Sequence, residues 1–299
     1  MKQPGTAFVA LAAMFWGLSG GIGGILTAQG WGSFEVSFYR GAIGLLFVVA
    51  WLALRPFNSG MACWRFWFWS AVAGIGVAGN FSFYFVSITE GSVAVAASLM
   101  YCAPIFVYLV SFALKIEKPT LWKWGAIALV MLGIMLLTRI YDMTDTSVTA
   151  TGIGAGLLAG MSYALFIFGF KYAATHGTPQ AILVIAFSVL VLILIWPSDY
   201  NQILAVPGAQ HWPLFILLGV LGAGLSFILY IIGLNNTTPA VASIVAMVEP
   251  VTASLFGYLI LNESLMGSQI IGMALILFTV TAMGVYSGAR PASSATTTD

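Results

Sequence analysis

Two charged residues stand in long apolar runs of this chain, where an unpaired charge is costly: Glu249 and Arg40. A carboxylate at the centre of a membrane costs at least about 2.5–3.5 kcal/mol, so it must face a cavity or a partner. Glu249 lies about twelve residues into its run, 238–261. It can serve as a proton site or accept a substrate ammonium. The alternative is a protonated or backbone-bonded side chain that relieves the break made by Pro250. Arg40 lies about six residues, on the order of 9 Å, from the outer end of its run, 34–54. Its guanidinium can hold a substrate carboxylate through a bidentate pair. It can equally snorkel to headgroups or clamp helix-end carbonyls.

Pro250, next to Glu249, and Pro104 in the run 92–114 both lie deep within their apolar runs. Each removes a backbone donor and disturbs the preceding turn, and freed carbonyls at membrane depth must face neighbours or a water-lined cavity. A bend at each would give gates some compliance; a static, well-packed kink is the alternative. A set of polar and aromatic residues surrounds these positions at helical spacing. Asn80 and Tyr84 are one turn apart, Ser226 and Tyr230 repeat that spacing, and Ser98 and Tyr101 share a face just before Pro104. With Trp16 and Tyr163 they could form a cage of ring faces and donors for a zwitterion. Anchoring at membrane interfaces explains Trp64, Trp67, Trp69, Trp122, Trp124, Trp196 and Trp212 instead, since all fall near run ends.

The elements that must position these residues follow from composition. The 299 residues are 61% hydrophobic and only 6% charged, with a mean hydropathy of +1.02. Soluble domains carry about 25% charged residues, so most of this surface faces lipid. Ten apolar runs are long enough to cross a bilayer: 6–27, 34–54, 66–88, 92–114, 121–138, 151–173, 178–196, 212–234, 238–261 and 267–287. The fold class expected is an all-α polytopic membrane protein. Basic residues orient it. With the N-terminus inside, Lys2, Arg55, Arg65, Lys115, Lys118, Lys123, Lys171 and Arg290 are cytoplasmic and Arg139 alone is outside. Both termini are then cytoplasmic, and the polar stretch 289–299 is expected to be a disordered tail.

An internal repeat organises the ten runs. Residues 84–117 align without gaps on 230–263 at an offset of 146, matching Tyr84 with Tyr230, Ala94-Val95-Ala96 with Ala240-Val241-Ala242, Pro104 with Pro250, Leu109 with Leu255, and Glu117 with Glu263. Each copy, 1–145 and 146–288, holds five runs, so the second crosses the membrane in the opposite sense. Such inverted repeats place a substrate site near the midplane, where the halves meet. The alignment centres that site on the third, fourth, eighth and ninth runs. It also pairs Glu249 with Ala103 and leaves Arg40 without a basic counterpart. Glycines at helical spacing, Gly17, Gly20, Gly21 and Gly24, then Gly152, Gly156 and Gly160, offer close-packing faces. The fifth and tenth runs, poorer in polar residues, are candidates for a lipid-facing or dimer surface.

The pattern resembles the drug/metabolite transporter superfamily, in its ten-helix branch with two EamA domains. Phe15-Trp16-Gly17, Arg40, the small residues opening the fourth run, Pro104 and Glu117 carry the resemblance. The second copy repeats it as Ala240-Val241-Ala242, Glu249-Pro250-Val251 and Leu261-Asn262-Glu263. Within that superfamily, Trp16, Asn80, Tyr84, Tyr101 and Tyr163 look most like bacterial aromatic amino acid exporters. The resemblance implies export of Phe, Tyr, Trp and related amino acids across the inner membrane by alternating access. Exporters of hydrophobic cations or other metabolites are the rival within the superfamily, with Glu249 as counter-charge and the rings in cation–π contact.

Other classes lack their residues. His176 and His211 fall in connectors on opposite sides, and no HExxH, GxSxG or paired acidic motif occurs, so an intramembrane enzyme is not expected. A channel would show a ring of charged or carbonyl-rich filter residues. Cys63 and Cys102 have no metal-like spacing. The scattered basic residues form no stripe for nucleic acid. The expected partners are a small-molecule substrate and the bilayer, with no cofactor and no metal, in a monomer or weak homodimer. Proton exchange and downhill facilitated efflux both remain compatible with a single buried carboxylate.

Overall fold

A computed structural model describes residues 4–54, 63–142 and 149–289. Lys2, Arg55 and Arg290, used for orientation, lie outside the described residues, as does the expected tail beyond Ala289. The described secondary structure is all helical. The first half comprises α1 (Pro4–Ala28), α2 (Ser33–Leu54), α3 (Trp64–Thr89), α4 (Val93–Met100), α5 (Ala103–Ala113) and α6 (Leu121–Thr138). The second comprises α7 (Ala150–Ala173), α8 (Pro179–Leu194), a short α9 (Tyr200–Ala205), α10 (Trp212–Gly219), α11 (Ser226–Asn235), α12 (Pro239–Val245), α13 (Val248–Ile260) and α14 (Gly267–Ala289).

Among the described residues nine helical stretches are long and apolar enough to cross a membrane, and α8 is a shorter apolar helix. The chain is a multi-pass membrane protein. At 16 residues α8 is about 24 Å long, short of a hydrocarbon core of about 30 Å. The run expected over 178–196 ends early because Pro197 follows and the Ser198 hydroxyl takes the Leu194 carbonyl at 2.7 Å. Three expected spans are interrupted. The fourth divides into α4 and α5, the ninth into α12 and α13, and the eighth carries a π-helical stretch, Val220–Leu225, between α10 and α11.

Local sequence sets the ends. Ser92, Thr120 and Thr149 cap α4, α6 and α7 by accepting from Val95, Lys123 and Gly152 amides. Pro179 and Pro239 occupy the first helical position of α8 and α12, where a missing N–H costs nothing. Helix starts at 4, 33, 93 and 121 recur at 150, 179, 239 and 267, each 146 residues on. The duplication therefore extends over nearly the whole chain, beyond the 34 residues whose identities reveal it.

Packing pairs α3 with α7, α1 with α11 and α13, α2 with α8, and α6 with α14. Small residues allow these approaches. A Cβ at Gly152 would lie 2.6 Å from the Glu90 carbonyl, one at Gly156 2.7 Å from Leu99, and one at Gly160 3.0 Å from the Leu99 carbonyl. In α1 only half of the expected glycine face packs: Gly17 and Gly21 are in close contact, whereas Gly20 and Gly24 have open space beside them. The fifth and tenth spans press against each other, so that a Cβ at Gly133 would lie 2.9 Å from the Gly272 carbonyl. Their outer faces, with Leu129, Leu132, Leu277 and Phe278, remain exposed.

Candidate functional site

Glu249 sits in the first turn of α13, just past the interruption at 246–247. Pro250 has no N–H to continue the ladder, so the chain turns: Met247 N–H bonds to Ile244 O at 3.1 Å and Glu249 N–H to Ala246 O at 3.0 Å. The preceding α12 is buried along its whole length, and Glu249 falls at the middle of the apolar stretch Pro239–Ile260. From the other side α1 is held close at Gly17, where a Cβ would lie 2.5 Å from the Glu249 carbonyl. The first half repeats this construction. An interruption at 101–102 precedes α5, with the buried Pro104 in its first turn.

Five elements bring polar groups to this point. The Arg40 guanidinium and the hydroxyls of Tyr84, Tyr101 and Tyr163 each lie within electrostatic reach of the Glu249 carboxylate. Glu249 is half-buried, and its Oε2 is shielded from solvent without a hydrogen-bond partner. Tyr163 stands beside it, its hydroxyl turned toward the carboxylate without a hydrogen bond of good geometry. Arg40 is committed on one edge: Nε and Nη2 donate to the Gly222 carbonyl at 3.0 and 2.8 Å. Gly222 belongs to the π-helical stretch, whose extra residue disturbs the regular ladder. The guanidinium also lies over Phe81, 5.0 Å from the ring centroid. Of the three roles open to Arg40, the structure displays the carbonyl clamp, with Glu249 within electrostatic reach of the guanidinium.

Beneath this polar group lies a block of rings. Trp16 packs on Phe227 and Tyr230, each at 4.9 Å between centroids, and edge-on to Tyr163 and Phe166 at 6.4 and 6.2 Å. Tyr163 and Phe166 are 4.4 Å apart. All five are buried, so the rings spend their faces on one another. Three polar atoms in this block, Trp16 Nε1 and the Tyr163 and Tyr230 hydroxyls, are buried without partners. Buried polar groups are usually satisfied, so three such atoms in one ring block, one of them on Tyr163 beside Glu249, are uncommon for a packed core.

The remaining expected residues divide. Asn80 is a helix clamp, its amide donating to Ala159 O at 3.0 Å. Ser98 turns to the Thr138 hydroxyl of α6 at 2.7 Å and so parts from Tyr101, which turns to Glu249. Ser226 is buried with its hydroxyl unpaired where the π stretch ends. The group as built thus adds α1, α2 and α7 to the four spans centred by the repeat alignment. Phe81, Phe166 and Phe227 were missed from sequence because phenylalanine is common in every apolar run here. Phe81 and Phe227, which follow Asn80 and Ser226 in the repeated spacing and are themselves 146 residues apart, carried a usable signal.

A half-buried carboxylate near a guanidinium and tyrosine hydroxyls can bind a zwitterion or cation, and no group of three or more metal-ligating side chains occurs among the described residues. Residues 3–139 and 150–285 each match the model of the EamA-like transporter family. An uncharacterised transporter of Bacillus subtilis, YwfM, is 26% identical over 278 residues, covering 90% of each chain. The threonine/homoserine exporter RhtA of Salmonella typhimurium is 27% identical over 209 residues, 68% of this chain and 66% of its own. A solved crystal structure superposes with a TM-score of 0.79 over 96% of this chain and 98% of its own at 18% identity, a likeness of fold. With two matches that together span most of its length, the chain belongs to the EamA-like transporter family and is a transporter rather than an enzyme.

Proposed function

We propose that this chain is a secondary carrier that exports small α-amino acids of the threonine and homoserine kind. It would work by alternating access between two inverted five-helix halves, 1–145 and 146–288. The bias of basic residues puts both termini on the cytoplasmic side of the plasma membrane, in bacteria the inner membrane. The observation that carries the reading is Glu249, a half-buried mid-span carboxylate with an unpaired oxygen, facing Arg40 and three tyrosines. An amino acid would place its ammonium on Glu249 and its carboxylate on the Arg40 edge turned away from Gly222. Support for a small polar side chain comes from two sides. The Salmonella relative is named for threonine and homoserine, and the ring block spends its faces internally.

Aromatic amino acids are the second reading, favoured by the half-buried Tyr84 and Phe81 beside the charged pair. Counterflow in proteoliposomes with Thr, homoserine, Phe, Tyr, Trp and a quaternary ammonium as competitors separates these. Competition led by Thr and homoserine supports the first reading, and competition led by Phe or Trp the second. A quaternary ammonium that outcompetes every amino acid would sink both. Repeating the assay with an imposed pH gradient tests coupling, because a rate that ignores the gradient removes a proton from the cycle.

A further inference from the structure

The two halves differ at a pair of glutamates that the repeat makes equivalent. Glu117 follows α5, and its nearly buried carboxylate reaches across to the other half, where Oε1 accepts from the Ala240 amide of α12 at 3.4 Å. Its other oxygen pairs with Lys123 of α6. Its counterpart Glu263, which follows α13, is exposed, and its carboxylate folds back over Gly257 in its own half. The backbone at both places is built alike, Glu117 N–H bonding Ser111 O and Glu263 N–H bonding Gly257 O, residues that are again 146 apart. The helices divide in the same way. On the Glu117 face α5 packs against α12, whereas α4 lies on α3 and α7, and α13 lies on α1.

We infer that Glu117 and Glu263 are paired gate residues, each built to close its own face by accepting from the opposite half, and that this structure has the Glu117 gate closed and the Glu263 gate released. The same offset names the missing contact: Glu263 would accept from Ala94 of α4, as Glu117 does from Ala240. It also exposes an imbalance. The position equivalent to Lys123 is Gln269, which donates to Leu137 O at 3.2 Å and accepts from the Met266 amide at 3.0 Å. The Glu117 gate therefore has a cation to hold its carboxylate in place and the Glu263 gate has none. That difference biases the resting carrier toward closure on the Glu117 face, the cytoplasmic one in the proposed orientation. The inference rests on the carrier reading but not on which amino acid is carried.

The test is double electron–electron resonance on the full chain in lipid nanodiscs, with Cys63 and Cys102 replaced by alanine. One label pair, at Lys115 and Asn236, spans the Glu117 face; another, at Val93 and Leu259, spans the Glu263 face. Both pairs use exposed positions. Glu117→Gln and Lys123→Gln should each lengthen the first distance and shorten the second. Gln269→Lys, which supplies the missing cation without touching the closed gate, should shift the same populations toward closure on the Glu263 face. Distances unchanged in Glu117→Gln and Lys123→Gln, or a Gln269→Lys shift toward tighter closure on the Glu117 face, would overturn the inference. Wild-type counterflow is measured in parallel. Its absence would count against the carrier reading, while the distances report on the gates alone.

Discussion

Gly17 provides a sharp test of how the site is held, because its neighbour on the same helix serves as the control. A Cβ at Gly17 would lie 2.5 Å from the Glu249 carbonyl, 2.7 Å from Thr252 Cβ and 2.9 Å from the Ala253 amide, whereas ordinary contact begins near 3.4 Å. Two of those three neighbours are backbone and cannot rotate away. Gly17→Ala must therefore move α13 from α1 by roughly 0.5–1 Å at the level of Glu249, with an overpacking cost of about 1–3 kcal/mol. A displacement of about 1 Å at a binding group can cost on the order of a hundredfold in rate. Gly20→Ala meets nothing within 4 Å and should gain slightly in helix propensity. Thermal melting and amino acid counterflow in reconstituted protein are the assays. Gly17→Ala should melt several degrees lower and lose at least tenfold in transport, with Gly20→Ala near wild type on both counts. Equal behaviour of the two variants would refute the packing argument.

Three further outcomes follow from hydrogen bonds. Arg40→Lys keeps the charge but loses one of two charge-assisted bonds to Gly222 O, so it should destabilise by about 1.5–3 kcal/mol and depress transport; a wild-type melt and rate would mean that charge alone suffices. Asn80→Ala breaks the clamp on Ala159 O, costing about 1–3 kcal/mol, and should leave the order of competing substrates unchanged in counterflow. Altered selectivity with an unaltered melt would place Asn80 in the site instead. Tyr163→Phe and Tyr230→Phe each remove a hydroxyl without a well-formed hydrogen bond here, so neither should lower the melting temperature. Tyr163→Phe, beside Glu249, should weaken substrate binding about fivefold, the worth of one neutral hydrogen bond; calorimetric titration that finds both variants equal to wild type would exclude the hydroxyl from binding.

Lipid exposure explains what was legible in the chain and what was not. Long apolar runs and their Pro and Thr boundaries fall where helices start, because a bilayer leaves only the helix to satisfy the backbone. The offset of 146 was visible in Tyr84, Pro104 and Glu117, and it extends to helix starts where no identity survives. Rotation of each helix was another matter. In a soluble protein the buried face reads as apolar, but here lipid and core are equally apolar, so Ser98 and Tyr101 could not be assigned to different interfaces. The π-helical stretch at Val220–Leu225 left no signal either, since its glycines read equally well as a packing face. Arg40 could be flagged from its cost, yet its partner is a backbone carbonyl, which every residue carries.

The central claim is that Glu249 receives the ammonium of an amino acid. Equilibrium binding of labelled threonine to wild type and Glu249→Gln in nanodiscs tests it, with circular dichroism and melting as checks on folding. Removing one partner of a buried charge pair costs about 2–5 kcal/mol, which corresponds to about 30-fold or more in affinity. A folded Glu249→Gln protein should show a loss of at least that size. N-acetylthreonine, which lacks the ammonium, should fail to compete with threonine on wild type. Equal affinity in the two proteins, or competition by the acetylated compound as strong as by threonine itself, would contradict the claim.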